Sequence, residues 1–297
     1  MKYGIREICD VVLKAKAPIK VGNKEFKKNE PVIYFDSLKT STMEGAATTV
    51  YAQGGRGNSR LVAWEGERTV TFTMEDALIS ELGLAVLTGA GLVDGKKKAI
   101  SVHTTAKVAA TATGATFQMD SAYQSREAII TAADNADAVA YAIAMDENDN
   151  VIETAICSKV TANELGYTFG SDLTEDEKKK VKAVLFDFYV SKNSGTQIEI
   201  TADKFAGNYY LEASTLFRSA DGVDHPAEFI IPNCKIQSNF TFTMASSGDP
   251  STFTFTMDAF PDYTKFDYTK KVLSVIQVID DEAAPLADEA EEGKDAE

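Results

Sequence analysis

The chain of 297 residues has little of what most catalytic and metal sites are built from: two histidines, three cysteines and one tryptophan. Cys9, Cys157 and Cys234 lie far apart without CxxC spacing, and His103 and His225 each stand alone. This usage predicts cysteines that are small core residues in a reduced cytosolic compartment, with neither a disulfide framework nor a zinc site. An acid–base site would have to be built from Asp and Glu alone.

Long apolar runs are also missing, since no stretch of 18 residues is free of polar side chains. The first 13 residues are interrupted by Arg6, Glu7 and Asp10, so they do not read as a signal peptide. We therefore expect a chain that begins at Met1, is made in the cytoplasm and has no membrane partner.

Basic residues are fewer than acidic ones, 30 against 45, which gives a formal charge of −15. Proteins that grip nucleic acid rely on Lys and Arg to neutralise phosphates. This chain is therefore a poor candidate for binding DNA, although it could work beside DNA without holding it.

The charge is unevenly distributed along the sequence. Residues 280–297 hold nine acids and one base, a net −8, and leave −7 for the rest of the chain. Residues 1–40 hold nine bases and five acids, a net +4. The acidic segment is typical of a solvated, disordered tail, or it could be held by a neighbour. A basic start and an acidic end suit head-to-tail contact between copies, but solvated surface patches explain the same counts.

No motif points to a catalytic, cofactor or metal site. Gly54–Gly57 and Gly89–Gly91 lack the endings of phosphate and dinucleotide loops, so both are expected to be plain loops. Residues 146–150 resemble the start of a calcium loop, but Val151 and Cys157 occupy the positions that need Gly and Glu. A polar hairpin turn is the better interpretation. The sequence therefore predicts no catalytic residues, no cofactor and no metal, and we do not expect an enzyme.

Most segments alternate with period two and predict strands. Three of them are lined with threonine: Thr69–Met74, Asn239–Met244 and Thr252–Met257. The last two are expected to form an antiparallel hairpin through a turn with Gly248 and Pro250. The same pattern predicts nine further strands at Val32–Phe35, Leu61–Trp64, Val139–Met145, Val151–Cys157, Val184–Val190, Gln197–Thr201, Tyr209–Phe217, Glu228–Ile231 and Val272–Ile279.

The strand at Ala138–Met145 alternates large apolar residues with four alanines, as in a strand that is covered closely on its alanine side. Two helices are predicted: Glu75–Leu87, which ends before Gly89 and uses Leu78, Leu82 and Ala85 to pack on a sheet, and a short one opened by Thr174 through about Lys182. Residues 69–78 and 252–260 echo each other, through a duplicated unit or through simple strand composition. The fold class expected is mainly β, an antiparallel sandwich or barrel.

Two blocks of sequence show a familiar order of loops and strands. The first runs from the glycine-rich loop at Gly54 through the strand at Thr69–Met74 to Ala90, and the second from Tyr209 to Phe253. Together they resemble tail tube proteins of long-tailed bacteriophages, and most of all those with contractile tails. Residues 93–207 depart from that pattern, which indicates an elaborated sheet or an inserted second β region within a tail-tube-like domain of residues 1–279, followed by the acidic tail at 280–297.

The resemblance implies a β-sandwich or split-barrel subunit with one packed helix. Such subunits join into hexameric rings that stack as a tube, through which DNA and the tape-measure protein pass. An acidic channel would repel phosphates, so DNA would slide without specific binding. The partners implied are other copies of the chain, a tail sheath, the tape-measure protein and the baseplate, and the location is the virion. Two alternatives stay open: a capsid decoration or tail-tip binding module, and an acid–base hydrolase on a β-sandwich.

Overall fold

The computed structural model describes residues 2–109, 117–118, 128–130, 137, 140–157, 161–163, 166–169, 174–242, 244, 246–248 and 251–279. The chain divides into two compact units, residues 1–92 with 198–297, and residues 93–197. The predicted tail at 280–297 lies outside the described residues.

The elements follow one another in the order β1 (Tyr3–Ile5), β2 (Asp10–Ala15), β3 (Ile19–Val21), β4 (Lys24–Phe26), β5 (Pro31–Phe35), β6 (Leu38–Gly54), β7 (Ser59–Asp76), α1 (Glu81–Thr88), β8 (Gly91–Asp94), β9 (Ile100–Ala109), β10 (Phe117–Gln118), β11 (Ala128–Ile130), β12 (Tyr141–Met145), β13 (Val151–Cys157), β14 (Thr161–Asn163), β15 (Gly166–Phe169), α2 (Glu175–Lys180), β16 (Ala183–Lys192), β17 (Thr196–Glu199), β18 (Asn208–Ser219), β19 (Asp224–Ile236), β20 (Phe253–Ala259) and β21 (Val275–Val278).

The first unit is built on one antiparallel sheet with the strand order β5-β2-β18-β19-β20-β7-β6; β1 pairs with β18, and β21 pairs with β19. Alternation along the strands sends one set of side chains into the core. In β18, Tyr209, Leu211 and Ala213 are buried, while Ser214 and Leu216 are exposed. The predicted mainly β, antiparallel class is confirmed and agrees with a β-sandwich, whereas the split barrel stays a prediction.

The two outermost strands of this sheet are consecutive in the chain. Only Asp36 and Ser37 separate β5 from β6, which lie at opposite ends of the pairing order. The sheet must therefore curve strongly, and a ring contact across the core shows this curvature: the centroids of Phe35 in β5 and Phe255 in β20 lie 4.9 Å apart.

Helix α1 covers the core of this sheet, with its Gly83 against Ile33 and Phe255. The helix starts later than the predicted Glu75, because β7 continues to Asp76, which is paired with Phe253 and Leu38. Ser80 caps the helix by accepting a hydrogen bond from the Gly83 amide at 2.9 Å.

The predicted end of α1 before Gly89 is confirmed, since Gly89 has φ +72° and donates its amide to Ala85. Leu78, expected to pack, is 68% exposed instead because it precedes the helix. Leu84, Val86 and Leu87 are buried in its place.

The second unit has its own sheet and its own core. Strand β16 pairs along its length with β9 on one side and with β12 and β11 on the other. Ala140, Ala142 and Ala144 are buried beside Phe186 and Phe188, so the alanine side of that strand is covered closely, as predicted. Helix α2 follows Thr174, whose carbonyl accepts from Lys178, but it ends at Lys180, before the predicted Lys182.

One predicted strand is wrong. Among the described residues of Asn239–Met244 there is no strand, so the expected hairpin with Thr252–Met257 does not form. Strand β20 pairs instead with β7 along Phe253–Asp258, and with β19 at Met257–Ala259. Beyond Gln237, whose amide donates to Thr256, the chain leaves the edge of β20. Phe242 packs against a ring of β20 without being in a strand, since the ring centroids of Phe242 and Phe253 lie 4.8 Å apart.

Candidate assembly surfaces

The longest feature of the first unit is the β6–β7 hairpin, hereafter the long hairpin (Leu38–Asp76). Its register runs from Leu38↔Asp76 to Gly54↔Ser59. The turn between the strands uses left-handed backbone at Gly55, Gly57 and Asn58, a conformation that glycine adopts freely. The glycine cluster at 54–57 is thus a hairpin loop, as predicted.

Only the base of the long hairpin belongs to the core. Phe72 and Met74 are buried, but every residue from Ser59 to Thr69 is exposed. The exposed part nevertheless carries large apolar side chains: Val50 is 62% exposed, Leu61 65% and Trp64 56%. Val50 and Trp64 are directly paired across the strands, so they share one face of the ribbon. Such a patch on a structured element is typical of an interaction surface.

Strand β6 also presents an open edge. Among the described residues it pairs only with β7, so one side of its 17-residue backbone has no partner strand. Edges of soluble proteins are usually protected by charges, proline or brevity. Here Lys39 and Glu44 are the only charged residues in β6, and there is no proline. By contrast, β5 at the opposite end of the pairing order has five residues and begins with Pro31.

The long hairpin is nearly neutral. It contains five acidic residues against four basic ones. The acidic surplus of the protein therefore lies on other segments, and the acidic channel lining stays a prediction that other surfaces would have to supply.

A half-buried ion cluster lies on the outer face of the sheet. Glu212 in β18 forms ion pairs with Lys14 and with Lys265, the latter at 3.0 Å, and the Lys265 ammonium lies 4.4 Å from the centroid of the Tyr210 ring. Burial alone would raise the pKa of Glu212, but hydrogen bonds from the two lysines outweigh it and leave this pKa lowered. Burial and the nearby Glu212 charge raise the pKa of Glu228.

The ion cluster holds a loop of residues 262–272 against the sheet, through Lys265. This loop, hereafter the aromatic loop, is not among the elements predicted from the sequence. It is closed by hydrogen bonds between Asp262 and Val272 at 3.1 and 2.9 Å. Its tip exposes Phe266 by 91% and Tyr268 by 73%. The signal was available in the sequence, because Asp-Tyr-Thr-Lys occurs twice, at 262–265 and at 267–270.

The cysteines and histidines build no reactive centre in the described part of the chain. Cys9 and Cys234 are buried free thiols, as predicted, and burial raises the pKa of Cys234 to about 12. The side chain of Cys157 lies outside the described residues. His103 Nε2 lies 2.8 Å from Asp187 on an exposed face of β9 and β16.

No metal-binding cluster of His, Cys, Asp or Glu occurs among the residues that the structure describes. Residues 146–150 form the polar turn predicted for them, in which Asp146 Oδ1 accepts from the amides of Asn148 and Asn150. A cleft of about 570 Å³ lies beside β1, where Arg218 and Asp224 are paired at 2.6 Å. Glu212 and Glu228, the two carboxylates whose pKa values shift in opposite directions, do not line this cleft.

The helices in the described ranges are too short or too polar to cross a membrane. No curated protein matches the chain at a significant level. The family model described as "YomU/Tube protein family" matches residues 19–272, which include most of both units. The chain therefore belongs to the YomU/Tube protein family, a family of phage tube-type structural proteins.

Proposed function

We propose that this protein is the subunit of a phage tail tube, in which copies join as hexameric rings and the rings stack around a channel for DNA during genome ejection. The observation that carries this proposal is the open edge of β6, which is long, uncharged over most of its length and free of proline. Such an edge favours pairing with a strand of another copy.

The apolar side chains of the long hairpin support the same proposal. A monomer gains nothing from keeping Trp64, Leu61 and Val50 in water, whereas a neighbouring copy that covers them removes apolar surface from water. When every subunit offers one edge and receives another, the contacts close into a ring if the rotation between neighbours closes, and otherwise give an open filament.

The remaining partners follow from the tube. The tape-measure protein would fill the channel before DNA enters, a sheath would surround the tube in a contractile tail, and a baseplate would cap it. DNA would pass without specific binding, and the protein would act in the virion as a structural component, without an enzymatic role.

Electron microscopy of the purified protein tests the proposal, and rings with sixfold symmetry or tubes are the expected result. The edge is tested by a double substitution on β6, Ala46→Lys with Val50→Lys, which places charge on the open edge and should abolish the assemblies. The control is Ser214→Lys with Leu216→Lys, which adds the same charge to an exposed face of β18, a strand with neighbours on both sides.

A chain that stays monomeric at high concentration would contradict the tube and favour a decoration or tail-tip module. Assemblies that survive the β6 substitutions but not the β18 control would show that the edge of β6 is not the contact.

A further inference from the structure

The first unit has a basic end, which is defined by two segments. Residues 14–30 hold six lysines against two glutamates, and residues 260–272 hold three lysines against two aspartates. The two segments lie together, because Lys16 Nζ is 2.9 Å from Asp262 Oδ2. Lys20, Lys24, Lys27 and Lys28 are all exposed on or beside the β3–β4 hairpin.

The same end carries the exposed aromatic tip. Phe266 and Tyr268 stand out from the aromatic loop, next to the exposed Lys270 and Lys271. This loop is held firmly, since Asp262 is ion-paired to Lys16 directly after β2, Lys265 is ion-paired to Glu212 in β18, and the Asp262–Val272 bonds close its base. A fixed surface that combines lysines with aromatic rings suits an acidic peptide that also contains apolar residues.

Ile279, the last described residue before the acidic segment 280–297, lies toward the opposite end of the sheet. Strand β21 pairs with β19 so that Val278 lies opposite Ala227, and the Ile279 amide then donates to Pro226. The aromatic loop starts beside Asn233, whose carbonyl accepts from Phe260. Asn233 follows Ala227 by six steps along β19, a span of roughly 20 Å.

This polarity points to a contact between copies. We infer that residues 280–297 of one copy bind the basic end of a second copy, an inference that rests on the proposed self-assembly. The segment carries a net −8 and includes the sequence Ala-Ala-Pro-Leu-Ala, so it offers both the charge and the apolar residues that the basic end can accept. The contact is head to tail, because donor and acceptor surfaces lie at opposite ends of one sheet.

The contact can be measured without any tube. We would titrate a fluorescent peptide of residues 280–297 into a full-length amide-tail variant, in which the nine acids of that segment are replaced by Asn or Gln. Saturable binding is expected, weakened about tenfold or more when the salt is raised from 50 to 500 mM, since screening acts on exposed charges.

The basic end is tested by charge reversal at Lys24, Lys28, Lys270 and Lys271 to Glu, which should abolish peptide binding. The matched control reverses four exposed lysines of the second unit, Lys96, Lys97, Lys98 and Lys182, and should leave binding unchanged. The inference would be overturned if both variants lost peptide binding equally, or if neither charge reversal changed it.

A mixing experiment separates contact between copies from folding back within one copy. The amide-tail variant lacks the donor segment, and the charge-reversed variant lacks the acceptor surface. With Ala46→Lys and Val50→Lys added to both variants to remove association through β6, they should form a mixed complex through the one donor and the one acceptor that remain. Absence of a mixed complex would overturn the inference. So would a peptide that binds the amide-tail variant but not the dilute unaltered monomer, because the tail of that monomer would then occupy its own basic end. Microscopy of the unaltered chain tests the tube separately, so either proposal can fail alone.

Discussion

At the scale of single residues, the ion pairs of Glu212 link the stability of the fold to pH. The Glu212 carboxylate lies between Lys14 and Lys265 on the outer face of the sheet. The pKa of Glu212 is lowered in the folded chain from the ordinary value of 4.5. The unfolded chain therefore takes up this proton first as the pH falls, and the stabilisation is present above pH 4.5 and is lost as the pH falls through the lowered pKa.

We expect Glu212→Gln to lower the free energy of unfolding at neutral pH and to flatten its loss below pH 4.5. Urea unfolding across a series of pH values measures both effects. Glu67→Gln, at an exposed carboxylate of the long hairpin, is the control and should leave the curve of the unaltered protein in place. A Glu212→Gln curve parallel to that of the unaltered protein would show that the ion cluster does not stabilise the fold.

The two ends of α1 allow a comparison between capping and backbone strain. Ser80→Ala removes the N-cap hydrogen bond to Gly83 and should cost about 1 kcal/mol. Gly89→Ala should cost more, because φ is +72° and a Cβ there would meet the Phe205 backbone at 2.5 Å. Gly45→Ala, where no atom lies within 4 Å of the added Cβ, is the matched control. The order of the three unfolding midpoints checks the prediction.

At the scale of elements, the long hairpin shows what sequence can and cannot predict. The alternation at Thr69–Met74 and the glycine turn at 54–57 were enough to place strand and loop. They did not show that β6 and β7 run for 17 and 18 residues, because exposed strand segments have no buried face to generate a two-residue period. The hairpin register is what places Val50 opposite Trp64.

The strand predicted at Asn239–Met244 is wrong for a related reason. Its pattern is nearly the same as that of Thr252–Met257, yet only the second forms a strand among the described residues. A strand also needs a neighbouring strand to pair with, and local pattern does not supply one. The two segments that echo each other, residues 69–78 and 252–260, contain β7 and β20, which are antiparallel neighbours in one sheet. This pairing is compatible with both a duplicated unit and simple strand composition. The open edge depends on pairing between distant segments and could not be predicted from local pattern. The repeat of Asp-Tyr-Thr-Lys could have marked the aromatic loop, but not its ion pairs with the distant Lys16 and Glu212.

Trp64 is the single tryptophan of the chain, so its fluorescence reports on the long hairpin alone. If a neighbouring copy covers it, emission should shift to shorter wavelength and acrylamide quenching should fall as the protein concentration rises. Leu61→Ser with Val50→Ser should abolish that shift without changing the unfolding midpoint, because both side chains are exposed in the monomer. Val223→Ser, at a comparably exposed valine on another turn, should leave the shift intact.

At the scale of the whole molecule, the chain contains a second compact unit. Its core residues belong to a cluster distinct from that of the first unit. The first and last residues of the second unit lie close together, because the Gly95 amide donates to the Gly195 carbonyl at 2.9 Å. The sequence placed this region at residues 93–207, whereas contacts group residues 93–197; its standing as an inserted domain stays a prediction.

We therefore predict that residues 96–193 can be replaced by a two-residue Asn-Gly turn, which suits a tight antiparallel reversal. The shortened chain should unfold in one cooperative transition with an unfolding slope reduced in proportion to its size. A chain without a cooperative transition would show that the first unit depends on the second. Circular dichroism during urea unfolding distinguishes the two results.

The wide spacing of strand partners has a consequence for how the protein is made. Strand β2 must wait for β18, and β7 for β20, so the sheet of the first unit cannot be completed until the ribosome has synthesised residues beyond 253. The second unit emerges complete in the meantime. Pairing between such distant segments is slow, and the unprotected β6 edge is at risk of wrong association throughout. We therefore expect wrong association through the β6 edge to be a risk until the last strands emerge, and any self-assembly to begin only from finished subunits.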